Sequence, residues 1–281
     1  MAIDNRIKTV LLLGVLTGVL LFVGNLFGPG GLVIAFIIVL LMNGISYFFS
    51  HKIVLWMYKA KPASEQEHKK LHKMVEEVAH LAKIPKPQVY IIPSPQPNAF
   101  ATGRNPKNGI VACTEGILSL LSEDELKGVI AHEISHIKNR DILIQTIAAM
   151  IAGIIGFAAS MARWGAIFGG FGDDDGPGLL EILVLAILMP IIATLLQLAI
   201  SRSREYLADE TGARIIKNPE ALALALEKLE RGVENTPMHL GSPTTSSLFV
   251  ANPFSASGLL SFLSTHPPME KRIKKLRNMH I

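Results

Sequence analysis

Ser122-Glu123-Asp124-Glu125-Leu126-Lys127-Gly128-Val129-Ile130-Ala131-His132-Glu133-Ile134-Ser135-His136 is the stretch that decides how this chain reads. Ser122 with a Glu three residues on is a capping-box helix start. Leu126, Val129, Ile130, Ile134 and Ile137 then recur at helical spacing. On that helix His132 and His136 are i and i+4, so both imidazoles leave from one face and can grip one metal ion. Glu133 lies about 100° round from His132, within reach of a water held by that ion. Two His ligands and a carboxylate base are the zinc-hydrolase arrangement. The bland alternative is a solvated helix that happens to carry two histidines.

A hydrolytic zinc site needs three protein ligands and one open position. The third can be a downstream His or a carboxylate. Arg204-Glu205-Tyr206-Leu207-Ala208-Asp209 offers Glu205, with Asp209 one helical turn later. That pair makes chemical sense: the Glu takes the metal, and the Asp accepts the outward N–H of a ligating His. The competing reading is a surface carboxylate paired with Arg202 or Arg204, worth little. Spacing alone leaves both open.

Four segments occur together: Asn98-Ala99-Phe100-Ala101-Thr102-Gly103, Ala131 to His136, Arg204 to Asp209, and Thr265-His266-Pro267-Pro268. In this order they resemble the HtpX family of membrane-bound heat-shock zinc metalloproteases. The chain is more distantly similar to the CAAX prenyl proteases. The similarity runs nearly end to end and shows no departure at the metal-site positions. It implies Glu205 as third ligand, one Zn2+ per chain, Glu133 as catalytic base and a role in protein quality control. It also points to His266, with Arg272, near the oxyanion of the reaction, and to Asn98, Ala99 and Phe100 as a substrate-binding edge strand. An extended peptide adds to such a strand through backbone hydrogen bonds. His266 can equally be a capping or packing residue, and the Asn98 segment an ordinary hairpin strand.

Hydrophobic residues make up 49% of the 281, and the mean hydropathy is +0.38, which points to a membrane. No charged residue stands between Lys8 and Lys52, and Gly28-Pro29-Gly30-Gly31 breaks that run. Two membrane helices are therefore predicted, Val10 to Phe27 and Gly31 to Phe49. A cleaved signal peptide is the alternative for the first, but a second span follows at once and no small-residue cleavage site stands out. Ile142 to Ala162 and Leu179 to Ile200 read as a second pair, joined by the acidic Gly169 to Gly178 loop. Buried helices of a soluble core are the alternative there.

Between the pairs, helical periodicity is predicted over Glu65 to Lys83, and strands over Val89 to Ile92, Phe100 to Thr102 and Gly109 to Thr114. After Ile200, helices are predicted over Pro219 to Arg231 and Glu270 to Met279, with a mobile loop over Thr236 to Ser257. The expected fold is an α+β membrane protein: about four transmembrane helices plus a mainly helical zincin-type catalytic domain with a small β-sheet. Its parts are a membrane anchor (1–50), a first catalytic part (51–141), a second helix pair (142–200) and a second catalytic part (201–281).

The net charge of +4 and pI near 9.1 could suggest nucleic acid, but the distribution argues otherwise. Of the 27 Lys and Arg, 2 precede Val10, 13 lie from Ser50 to Arg140 and 11 from Ser201 onward, leaving only Arg163 between spans. The positive-inside rule then puts the N-terminus and catalytic domain in the cytoplasm, on a multi-pass protein of the cell membrane. The single Cys113 excludes an intramolecular disulfide and reads as packing. If the helices continue, each ligand helix sets its metal ligand roughly 8 to 9 Å from its span. The expected function is a membrane zinc endopeptidase whose partners are protein or peptide substrates and the lipid bilayer. A processing peptidase for lipidated peptides and a non-catalytic zinc-stabilised scaffold are the alternatives. Retention of Glu133 argues against the scaffold, since a structural zinc site needs no base.

Overall fold

The computed structural model describes residues 28–143, 202–235, 248–251 and 267–281, with isolated positions from 14 to 25 and at 240. The predicted spans at 10–27, 142–162 and 179–200 fall almost wholly outside these residues, as do the acidic loop and His266.

Helix α1 covers Gly28–Met57. Gly28, at φ 78°, marks the break the sequence predicts there, and Pro29 sits in the first turn, where a missing N–H costs no hydrogen bond. The sequence reading ends this helix at Phe49. It runs two turns further because Val54, Leu55 and the following Tyr58 are buried against the sheet. Among the described residues no helix is long and apolar enough to cross a membrane. α1 is 30 residues long and carries no Asp, Glu, Lys or Arg from 31 to 49. Val33, Ile34, Leu40 and Leu41 are all more than half exposed on it.

The sheet has four strands: β1 (Lys61–Pro62), β2 (Gln88–Ile92), β3 (Ala99–Gly103) and β4 (Gly109–Thr114), in the order β1-β2-β4-β3. β2 and β4 run parallel, with Val89 opposite Val111. β3 pairs antiparallel with β4, Phe100 opposite Ala112. Both faces are buried, which is why β4 reads as a continuous apolar run rather than an alternation. Val111 and Cys113 face the main core, with Val89, Ala99 and Ala101. Ile110 and Ala112 face a second core, with Phe100 and the end of α1. Tyr58, Phe100 and Phe249 fill that second core with ring centroids 4.9 to 5.7 Å apart, Phe249 meeting both other rings edge to face.

Helices α2 (Lys69–Ala82), α3 (Glu115–Leu120), α4 (Glu123–Lys138), α5 (Arg202–Ile216), α6 (Pro219–Asn235) and α7 (Met269–Arg277) make up the rest. α2 begins four residues later than its periodicity predicts. α3 was not predicted; Thr114 caps it by accepting from Ile117 N–H at 3.2 Å. The 236–257 stretch is expected to be a mobile loop, yet its Leu248–Ala251 part is buried and joins the sheet. Phe249 bridges Phe100, and Val250 N–H donates to Ala99 O at 3.2 Å.

Candidate active site

α4 starts on its capping box: Ser122 N–H donates to Glu125 Oε2 at 2.8 Å, and Glu125 N–H to Ser122 Oγ at 3.4 Å. Twelve of its 16 residues are buried, because α2, α5, α6 and β3 pack around it. An isolated helix gets little stability of its own, so this surround is what holds α4 in place. α5 comes closest at Gly212, where an added Cβ would lie 2.9 Å from His132 N and from Ala131 C. Backbone contact at that point brings Glu205, two turns earlier on α5, over the two histidines.

The three side chains converge. His132 Nε2 and His136 Nε2 are 3.1 Å apart. Glu205 Oε2 lies 3.7 Å from the first and Oε1 3.6 Å from the second. A tetrahedral ion with bonds of about 2.0–2.1 Å spaces its ligands about 3.3 Å apart, so the cluster has the right dimensions for one. Each outward Nδ1 faces a carboxylate: His132 faces Asp209 Oδ1 at 2.9 Å, and His136 faces Asp141 Oδ2 at 3.0 Å. Both rings are thereby held with Nε2 towards the shared point.

The charges also fit an ion. Among the described residues, the carboxylates of Glu133, Glu205, Asp209 and Asp141 and the guanidinium groups of Arg204 and Arg272 are all buried here. With neutral imidazoles the pocket is short of two positive charges, which one divalent cation supplies. Its electrostatics show the same shortage. Burial pushes the Glu133 carboxyl up to about 8, further raised by Glu205. Burial also opposes charge on His136, but Asp141, Glu205 and Glu133 outweigh it and bring that imidazole up to about 10. The pocket pulls in positive charge, and His132, His136 and Glu205 form a possible divalent-metal site.

Arg272 lies within the site. It is fully buried, and its guanidinium forks onto Asp209, Nε to Oδ2 at 2.8 Å and Nη2 to Oδ1 at 2.7 Å. Nη1 donates to Val250 O at 2.9 Å. Nη1 also lies 3.6 Å from Glu205 Oε2. Asn98, Ala99 and Phe100 are buried too. Asn98 Nδ2 donates to Ala251 O at 2.7 Å, and its Oδ1 accepts from Ala251 N–H at 3.3 Å. The chain's own 249–251 segment occupies the stretch of β3 edge that was read as open to a peptide.

A family model described as Peptidase family M48 matches residues 65–280. The chain belongs to this peptidase family. It is 51% identical over 280 residues to a protease HtpX homolog of Syntrophobacter fumaroxidans, covering 98% of this chain and 99% of that one. It is 53% identical over 281 residues to another of Pyrococcus furiosus, covering 99% and 97%. A crystal structure of S. mikatae Ste24p superimposes with a TM-score of 0.52 at 18% identity, covering 97% of this chain and 65% of that one. At that identity the likeness is one of fold. With the family shown and a buried His-His-Glu cluster beside a Glu, this M48 peptidase is a metalloprotease.

Two site residues escape the sequence reading. Asp141 lies five residues past His136, beyond the helix end. It reaches back because Arg140 adopts a left-handed φ of 60° and Asp141 N–H donates to His136 O at 3.2 Å. A non-glycine residue in that conformation leaves no sequence signature. Arg204 reads as a surface partner for Glu205, yet it is buried with its charge facing Asp141 and Glu205.

Proposed function

We propose that this peptidase is a membrane-bound zinc endopeptidase that cleaves membrane or misfolded proteins at the cytoplasmic membrane surface. The observation that carries the peptidase chemistry is Glu133, buried on the same helix as the His132–His136 pair and adjoining Glu205. A zinc ion on His132, His136 and Glu205 would act as a Lewis acid towards water and a scissile carbonyl. Ala101 N–H bonds the Glu133 carboxylate, which holds it against β3. From there Glu133 takes a proton from the attacking water and returns it to the leaving amine. Asp209 and Asp141 hold the two imidazoles, and Arg272 holds Asp209. His266, outside the described residues, is proposed to stabilise the oxyanion. A peptide adding along β3 meets an occupied edge at Ala99, so it docks beyond that residue or displaces 249–251.

The membrane part of the proposal rests on the apolar face of α1 and on the Lys and Arg distribution. It includes the four-part arrangement of anchor, split catalytic domain and second helix pair. A non-catalytic zinc scaffold needs no buried base, and Glu133 supports the enzyme reading over it.

The test is Glu133→Gln. Peptide hydrolysis should fall by orders of magnitude while the metal content of the purified protein stays at the wild-type level. Wild-type cleavage of casein by this variant would overturn the mechanism. For the topology, a reporter active only outside the cytoplasm should be silent after Ile281 and active near Asp174.

A further inference from the structure

Several cations of the catalytic domain have carboxylate partners. Lys127 meets Glu77 at 2.6 Å, Lys228 meets Glu125 at 2.8 Å and Arg277 meets Glu220 at 3.0 Å. At the end of α1 two cations sit over aromatic rings instead. Among the described residues Lys52 and Arg104 pair with no carboxylate. Lys52 Nζ lies instead over the Phe49 ring, 5.5 Å from its centroid, and Arg104 Cζ over the Phe48 ring at 5.6 Å. The Arg104 Nε and His51 Nδ1 atoms are buried with no hydrogen-bond partner. Burial, then the Arg104 and Lys52 charges, hold the His51 imidazole below its ordinary range, so these three groups share one positively charged locality.

This locality lies where the uncharged stretch of α1 ends. Phe48 and Phe49 are half exposed there, and Trp56, two turns on, is 79% exposed. Aromatic rings with adjoining Lys and Arg mark the headgroup level of a bilayer. A buried donor without a partner is costly, and an anion removes that cost. Guanidinium offers phosphate a planar fork, and ammonium a point charge.

We propose that Arg104, Lys52 and His51 form a binding site for the phosphate of an anionic phospholipid headgroup, with the acyl chains along the Phe48 and Phe49 face. This rests on the membrane reading of α1. Arg104 stands in the connection from β3 to β4, and Lys52 on α1. One bound lipid therefore ties the strand beside Glu133 to the membrane helix and sets the height of the active site above the bilayer.

The chain has 2 Trp, so a Trp164→Phe variant of the full protein leaves Trp56 as sole indole reporter. In detergent micelles it is titrated with phosphatidylglycerol or phosphatidylcholine carrying brominated acyl chains, which quench nearby indole. Phosphatidylglycerol should quench Trp56 at roughly 25-fold lower mole fraction. Lys52→Gln with Arg104→Gln should erase that preference, by roughly fivefold for each charge removed, and leave phosphatidylcholine quenching unchanged. Lys52→Arg with Arg104→Lys, a charge-conserving control for folding, should keep most of the preference. Equal quenching by the two lipids, or a preference that survives the double Gln variant, overturns the proposal. So does full competition by millimolar inorganic phosphate, which would identify a free-anion site. No quenching by either lipid would overturn the membrane reading itself.

Discussion

Arg272→Met removes both hydrogen bonds, 2.7 and 2.8 Å long, that the guanidinium makes to Asp209. Asp209 is only 3% exposed, so its charge is left without a counterion in the interior. Removing one member of such a pair costs about 3–5 kcal/mol. Burial would raise the Asp209 carboxyl, but Arg272 outweighs it and holds the group down at about 2, against an ordinary 3.8. A depressed carboxyl contributes stability that is fully present above the unfolded value and fades as pH falls towards the folded one. At neutral pH the whole loss should therefore register. Asp209→Asn strands the guanidinium instead and costs a similar amount. Because the two groups act as a unit, the double variant should be little worse than either single one, so the coupling should nearly equal one single loss, about 3–5 kcal/mol. The assay is denaturant unfolding of the four proteins in one detergent, alongside chelator titration of their metal. Either single variant should also hold metal about 10- to 100-fold more weakly, since His132 loses its oriented acceptor. Additive losses would refute the pairing. A fall in kcat/KM from Arg272→Met with stability and metal binding intact would return the guanidinium to the substrate.

Asp141→Ala should weaken metal binding about 10- to 100-fold, because His136 Nδ1 loses its partner; unchanged chelator resistance would remove Asp141 from the site. Gly212→Ala should destabilise by about 1–3 kcal/mol and loosen the metal, since its Cβ meets the backbone of Ala131 and His132. Gly44→Ala, with nothing within 4 Å of the new atom, should be neutral or slightly stabilising, as the thermal midpoints of both variants will report. Burial, then the Glu133 charge, pushes the Cys113 thiol up to about 12. Iodoacetamide at pH 8 should therefore label Cys113 only after unfolding, as read by mass spectrometry.

The local features of this chain were legible as written. A capping box and 3.6-residue periodicity are determined by neighbours three and four positions apart, so α4 and its two inward histidines follow from the sequence around Ser122 to Ile137. The strands β2, β3 and β4 were legible because apolar runs bounded by Pro, Gly and Asn say the same thing at short range. The Glu205 and Asp209 spacing was suggestive for the same reason, but only the family resemblance chose Glu205 over a surface ion pair. What the sequence could not decide were partners far apart in the chain. Arg272 meets Asp209 across 63 positions, and Asn98 meets Ala251 across 153. Neither contact has a periodicity to betray it. α1 outruns its apolar stretch because Val54 and Leu55 find the sheet's outer face, a surface that exists only once β2 and β4 have paired. Asp141 turned on the left-handed backbone at Arg140. The ligand helix could be read locally, whereas the carboxylates and guanidinium groups that aim and neutralise it were set by packing, because burial makes each such charge take whichever opposite charge folding brings within reach.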